Sequence, residues 1–172
     1  MIRDIQNVDD DVIAAKRIIR EKLYSDPDII EALHNPELDP DEPDSYLDKN
    51  IFDYIRIPGT TKDVSNFICF DVKQERNSYT NEHLKIQKYI FMVFCHEDDI
   101  KTQYGMSRHD LLSYLIRDIF NFSNMFGTQI VEYSNVPGIS DTHYSSRTIT
   151  FSAATPNSLQ HAVKTNKYEF PR

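Results

Sequence analysis

Asp71-Val72-Lys73 is followed two residues later by Glu75, in a run that begins with Phe67, Ile68, Cys69 and Phe70. Carboxylates alternating with an amine on a strand are residue types that could hold a divalent cation beside a phosphate. Such a site needs a further upstream carboxylate, and Asp53 or Asp63 is placed to provide it. In a chain with 27 Asp and Glu, however, short acid-x-Lys matches arise by chance. Alternation of polar residues on an amphipathic strand accounts for Asp71, Lys73 and Glu75 without chemistry.

A second cluster is Cys95-His96-Glu97-Asp98-Asp99, with His109 and Asp110 after a loop. A histidine with several carboxylates could bind a metal, but the spacing fits no metal motif. A strand ending in a solvated acidic turn explains it better, with Asp98 and Asp99 near Arg108 across the loop. Nucleophilic catalysis lacks a Gly-x-Ser-x-Gly elbow. The four glycines, Gly59, Gly105, Gly127 and Gly138, are too scattered for a phosphate-cradling loop. His34, His83, His143 and His161 lie apart in polar surroundings. Cys69 and Cys95 sit in apolar runs and read as two buried thiols; a disulfide stays open if their strands are neighbours. No cofactor and no metal are expected.

These groups must be positioned by one domain, because 172 residues give one real core and are too few for two ordinary ones. The net charge of −8 argues against a free-standing duplex-DNA binder, which shows a basic face. The N-terminal stretch has no apolar signal core and no run approaches membrane-spanning length, so the chain is expected to be neither secreted nor membrane-bound. Acids at 9–11 precede Val12, Ile13, Ile18, Ile19 and Leu23 at helical spacing, which predicts a helix over 9–24. A shorter helix follows over 27–34, with Asp26 as cap and Pro27 in first position.

Residues 35–63 alternate prolines with acids, a composition that blocks helix and ladder alike. Ile51, Phe52, Tyr54, Ile55 and Ile57 interrupt it, so it reads as an extended loop or arm anchored at one point. Strands are expected over 64–74, 84–96, 128–135 and 144–154, with a polar tip at 75–83 and a bend at Val136-Pro137-Gly138. The unbroken apolar run 89–95 predicts a central strand covered on both faces. Arg147 shares a face with Ile149 and Phe151, so it lies at a strand end, is paired within the chain, or bridges subunits.

A helix is expected from Ser107 to Ser123, opened by a Ser107/Asp110 capping box and ended before Gly127. Leu111, Leu112, Leu115, Ile116, Ile119 and Phe120 form its apolar stripe, with His109, Ser113, Arg117 and Asn121 facing away. The sum is an α+β fold: a mainly antiparallel sheet of about four strands packed by helices, with a long Pro/Asp-rich arm. It is a single domain over 1–154, and 155–172 is a C-terminal tail with a short helix expected at 157–164.

Two resemblances follow. The acid-x-Lys strand resembles the active strand of the PD-(D/E)xK nuclease superfamily, which implies metal-held carboxylates at Asp71 and Glu75 and a phosphate-facing Lys73. The run 89–94, then Gly105-Met106-Ser107-Arg108-His109-Asp110-Leu111-Leu112, then Ile116 to Asn121, resembles tail-completion proteins of tailed bacteriophages, the tail-terminator and head–tail joining class. This second resemblance covers about 64–154. It implies a non-catalytic virion subunit, assembled in the host cytoplasm into a ring, with a hexamer favoured. The ring would contact tail-tube or connector proteins and let DNA pass without specific binding, to which negative charge is suited.

Interface residues are then expected in the arm and at the strand tip: Pro40, Asp41, Pro43, Tyr54, Arg76, Asn77 and Tyr79, together with Arg147. The N-terminal helix and the arm depart from small tail terminators and leave a connector or adaptor ring open. A metal-dependent nuclease and an interaction module outside the virion are the alternatives.

Overall fold

The computed structural model describes residues 11–56, 64–77, 84–139 and 143–156. Three helices, α1 (Asp11–Tyr24), α2 (Pro27–Leu33) and α3 (Arg108–Phe120), pack on one face of a five-stranded sheet. The strands are β1 (Ile51–Phe52), β2 (Phe67–Asn77), β3 (Leu84–His96), β4 (Val131–Ile139) and β5 (Tyr144–Pro156), in the spatial order β1-β2-β3-β5-β4. Among the described strands only β1 and β2 pair in parallel. The α+β class is as expected, with five strands rather than four. β1 has two residues, too few to show a period.

β3 lies at the centre, and its residues alternate between two apolar clusters. Tyr89, Phe91, Val93 and Cys95 join the main core under the helices, with Ile68, Phe70 and Val72 from β2 and Ile149 and Phe151 from β5. Phe94 and Met92 belong to a smaller cluster on the other face, with Phe52, Phe67, Cys69 and Tyr144. The unbroken apolar run thus has a reason on both faces, although the second face is covered mainly at the His96 end.

Local chemistry places the helices. Asp26 Oδ1 accepts the backbone N–H groups of Asp28 and Ile29, 3.0 and 3.1 Å away, and Pro27 opens α2 as expected. Ala15, Ile19 and Leu23 form the buried edge of α1. α3 is turned slightly from the stripe read in the sequence. Leu112, Ile116 and Phe120 are buried in the main core, and Ser113 is buried beside them with its hydroxyl met by the Asn135 amide of β4 at 3.1 Å. The Ser107/Asp110 box also differs. The Ser107 hydroxyl makes no cap bond to the helix N–H groups and donates instead to Asp110 Oδ2.

α3 ends at Phe120 rather than at Ser123. The Asn121 N–H still reaches the Arg117 carbonyl, but the Phe122 N–H turns to the Ile130 carbonyl at 2.9 Å. Pro137 is another correction: it lies inside β4, opposite Arg147, and not in a bend. β4 is an edge strand, where a missing N–H breaks no ladder bond.

The segment 35–56 folds onto its own subunit. Tyr46 and Ile51 are in the main core, Phe52 is in the small cluster, and Pro43–Tyr46 forms a 3-10 turn. Ile51 and Phe52 supply the anchor expected of them, so the prolines block regular structure around it without freeing the segment. Residues 57–63, the tip at 78–83 and residues 157–172, with the helix expected at 157–164, lie outside the described residues.

Candidate functional site

The acid-x-Lys strand is β2. Asp71 is bound by Lys16 of α1 at 2.7 Å, and its Oδ1 accepts the Val72 N–H. Lys16 also donates to the Asp53 carbonyl at 2.8 Å, so it laces α1 to β1 and β2. Glu75 pairs with Lys88 of β3 at 3.0 Å, and Lys73 is exposed. Asp63 lies outside the described residues. Among those described, no three His, Cys, Asp or Glu side chains converge as metal ligands. Asp71 and Glu75 each face a different lysine rather than each other, so the geometry here is that of two separate ion pairs, one from helix to strand and one across strands.

The acidic turn after β3 has a structural role. The Arg108 guanidinium, buried at the start of α3, donates Nε to the Asp99 carbonyl (2.7 Å), Nη1 to the Ala32 carbonyl (2.8 Å) and Nη2 to Asp99 Oδ1 (2.9 Å). Asn66 Nδ2 donates to Asp99 Oδ2 at 2.6 Å and to the Leu33 carbonyl at 3.1 Å. The Asn50 side chain continues the chain, giving Nδ2 to the Asn66 carbonyl and accepting from Asn35. His34, in the left-handed region at φ 50°, caps α2 and sets Nδ1 3.0 Å from Asp99 Oδ2. The carbonyls left over at the C-terminus of α2 are satisfied by side chains from α3 and from the approach to β2. The expected closeness of Asp99 and Arg108 holds, and Asn66, which the sequence did not single out, is the second anchor.

The other titratable groups fall in two places. His96 is buried, stacks on His143 with centroids 6.0 Å apart, and accepts the Asp98 N–H on Nδ1. Burial pushes the His109 imidazole below its ordinary pKa; Asp110 beside it opposes the shift and Arg147 adds to it. Burial raises the Asp110 carboxyl, but the Ser107 hydroxyl, His109 and Arg147 together outweigh this and leave it lowered. Arg147 reaches Asp110 at 2.5 Å and donates to Asn135 Oδ1 at 2.9 Å, so within the chain it is paired, one of the arrangements expected for it. Cys69 and Cys95 are on neighbouring strands but face opposite sides of the sheet, Cys69 opposite Met92, and both thiols are free. Burial raises both.

Beside the Arg108–Asp99 pair opens a cleft of about 630 Å³ between α2, the loop 100–107 and α3. Tyr104, Met106 and Tyr114 stand exposed around it, with Leu111 and Leu115 in its wall and Asp28, Glu31 and Lys101 at its rim. The Tyr104 hydroxyl donates to Glu31 Oε1 at 3.3 Å.

Two further apolar groups are exposed at opposite edges of the sheet. At the β4 edge are Phe122 (62% exposed), Val131, Tyr133 (65%) and Val136. Phe122 has φ 62°, a conformation unfavourable for a bulky side chain. Lys88 lies over the Tyr133 ring, 4.1 Å from its centroid. At the β1 edge are Tyr54 (50% exposed) and Ile55. Tyr54 packs edge-on against Phe52, and the Arg56 guanidinium covers the same Phe52 ring.

Of the residues expected at an interface, Pro40, Asp41 and Tyr54 are exposed and Pro43 is half-buried at the 3-10 turn. Arg76 and Asn77 extend β2 past a bulge, and Tyr79 lies outside the described residues. Sequence reasoning missed Phe122, Val131, Tyr133 and Val136. Their signal was present, because apolar residues alternate with polar ones from Val131, but alternation does not tell which face of a sheet is wet.

Residues 26–153 match the YomW family, from just before α2 to near the end of β5. The chain belongs to the YomW family. YomW is a protein of the Bacillus phage SPbeta region. The match leaves the whole of α1 outside and takes in the Arg108–Asp99–Asn66 network, the cleft and both apolar edges, so these features fall within the YomW portion of the chain. No match is found among curated proteins. No described helix is long and apolar enough to cross a membrane.

Proposed function

We propose that this YomW-family chain is a structural virion protein of a tailed bacteriophage, a subunit of a ring that terminates the tail or joins head to tail. Its work is assembly, without a reaction. The observation that carries the reading is the presence of three separate exposed apolar groups: the β4 edge, the β1 edge and the cleft between α2 and α3. Scattered single apolar residues are ordinary, whereas clustered ones mark contact surfaces. A ring subunit needs two lateral contacts and one axial contact, and three groups match that number.

Other observations support it. The succession of β3, a loop closed by Arg108, amphipathic α3 and a final hairpin is the pattern implied by tail-completion proteins. Asp71, Glu75, Asp99 and Arg108 are engaged in ion pairs and hydrogen bonds that hold the fold. The chain's net charge of −8 lets DNA pass a lumen by repelling phosphate. In this reading the cleft receives the neighbouring tail-tube or connector protein, because it opens between α2 and α3 on the helical side of the sheet.

Light scattering after size exclusion, with electron micrographs of the protein alone and mixed with tail-tube and connector proteins, tests the proposal. A closed ring, alone or on a partner, is the expected result. A strict monomer with no affinity for either partner would sink it.

A further inference from the structure

We infer that the cleft between α2 and α3 receives an amphipathic helix with a basic flank, supplied by the tail-tube or connector protein; this rests on the ring reading above, in which that partner occupies the cleft. Asp28, Glu31 and Ala32 line the cleft from α2, and Leu111, Tyr114 and Leu115 line it from α3. Both sets follow i, i+3, i+4 spacing, so each is one face of its helix. The two walls therefore differ in chemistry. One carries two carboxylates, and the other is apolar.

The form of the occupant follows from the backbone. Residues inside α2 and α3 use their N–H and C=O groups within their own helices. The carbonyls left at the end of α2 are also engaged, Ala32 by Arg108 and Leu33 by Asn66. A strand laid between these walls would find no ladder partner for its own polar groups. A helix brings its backbone bonds with it and presents side chains at i, i+3, i+4 and i+7. The charge of the occupant follows from the rim. Arg108 and His34 are both engaged by Asp99. Asp28 and Glu31 are exposed and in no ion pair among the described residues. Glu31 stands in the last turn of α2, where the helix dipole disfavours a carboxylate. Its only side-chain contact among the described residues is the hydrogen bond from the Tyr104 hydroxyl. Lys101, on the loop, is the one lining cation without an ion pair among those described, so it turns the occupant's cations toward the α2 wall. Tyr104 and Tyr114 stand exposed there, and aromatic rings attract cations as well.

The test measures binding of the full chain to purified tail-tube and connector proteins by calorimetry, at low and high salt. Asp28→Asn with Glu31→Gln removes both charges and keeps an acceptor for Tyr104; it should weaken binding about tenfold. Tyr114→Ala should weaken it at least as much, by removing an exposed anchor. Lys101→Glu should strengthen binding about threefold, and a gain cannot come from a misfolded variant. Wild-type affinity should fall as salt rises. Hydrogen exchange on the bound partner should protect one helical segment that carries Lys or Arg.

Wild-type affinity in the Asp28→Asn/Glu31→Gln variant, or weaker binding of Lys101→Glu, would overturn the inference and leave the ring reading standing. A loss confined to Tyr114→Ala would overturn it in favour of an uncharged apolar occupant. A protected segment without Lys or Arg, or one that is extended, overturns it as well. So does a wild type that binds neither partner; the ring reading then falls only if the chain also fails to close a ring alone.

Discussion

The Arg108–Asp99–Asn66 network and the β4 edge reverse the usual placement of polar and apolar groups. The network buries a guanidinium, and the edge leaves a phenylalanine, a tyrosine and two valines in water. Each buried polar group has several partners: three acceptors for Arg108, and Ala32 and Leu33 carbonyls that would otherwise be orphaned. The exposed apolar groups gain little from their own subunit, and Phe122 even sits in a strained conformation. Burial with complete hydrogen bonding serves the fold, whereas exposure maintained at a conformational cost serves a contact. A cluster of His, Asp and Arg is therefore weaker evidence of function in this chain than a row of wet aromatics.

Substitutions can separate the two regions. Arg108→Met removes every side-chain bond that holds α2 to α3 and leaves Asp99 without its cation. Breaking such a pair costs about 3–5 kcal/mol, and urea unfolding should read a loss in that range. Arg108→Lys should recover little of it, since an ammonium lacks the planar fork. A near-neutral Arg108→Met would show that the network is not what holds the helices.

Phe122→Gly should act in the opposite sense. A left-handed residue with a side chain costs about 1–2 kcal/mol, so glycine should raise the unfolding free energy of the monomer by about that much while weakening assembly. A destabilised monomer would mean that the Phe122 ring packs for the fold.

Acidification should weaken the fold in two steps. The His109 pKa is lowered on folding, so the unfolded chain binds more protons. The stability this gives is fully present above the ordinary value of 6.5 and is lost as pH falls through the folded value. Asp110 is also lowered, and its contribution disappears as pH falls below its ordinary value of 3.8. Thermal melts from pH 7.5 downward should show the first loss just below pH 6.5, and His109→Gln should remove it.

The smallest effect is expected at Asp71. Asp71→Asn breaks a half-exposed pair with Lys16 and should cost at most about 1 kcal/mol. Plasmid incubated with the wild-type chain and magnesium or manganese should stay intact. Cleavage that Asp71→Asn abolishes would revive the nuclease alternative.

Much of the fold was legible in the chain. The 84–96 strand was placed with its observed bounds, because an unbroken apolar run between polar turns leaves little choice. The Asp26-Pro27 start of α2 was equally plain, since the cap and the proline act locally. Less legible were Asn66, which reads as an ordinary loop asparagine, and β1, which has two residues. Pro137 was misleading, because a proline signals a turn unless the strand that holds it is an edge, and edges exist only after the strands are ordered.

By itself the sequence determined the class of the fold, the central strand, the amphipathic helix and the acidic character of the chain. These follow from local propensity and periodicity, which act within a few turns or strand residues. The tertiary structure alone decided that Arg108 holds two helices through Asp99, that Asp71 and Glu75 face separate lysines, and that Phe122, Val131, Tyr133 and Val136 share one wet edge. Those outcomes depend on strand order, register and the face the helices cover, which join residues tens of positions apart and leave no local trace.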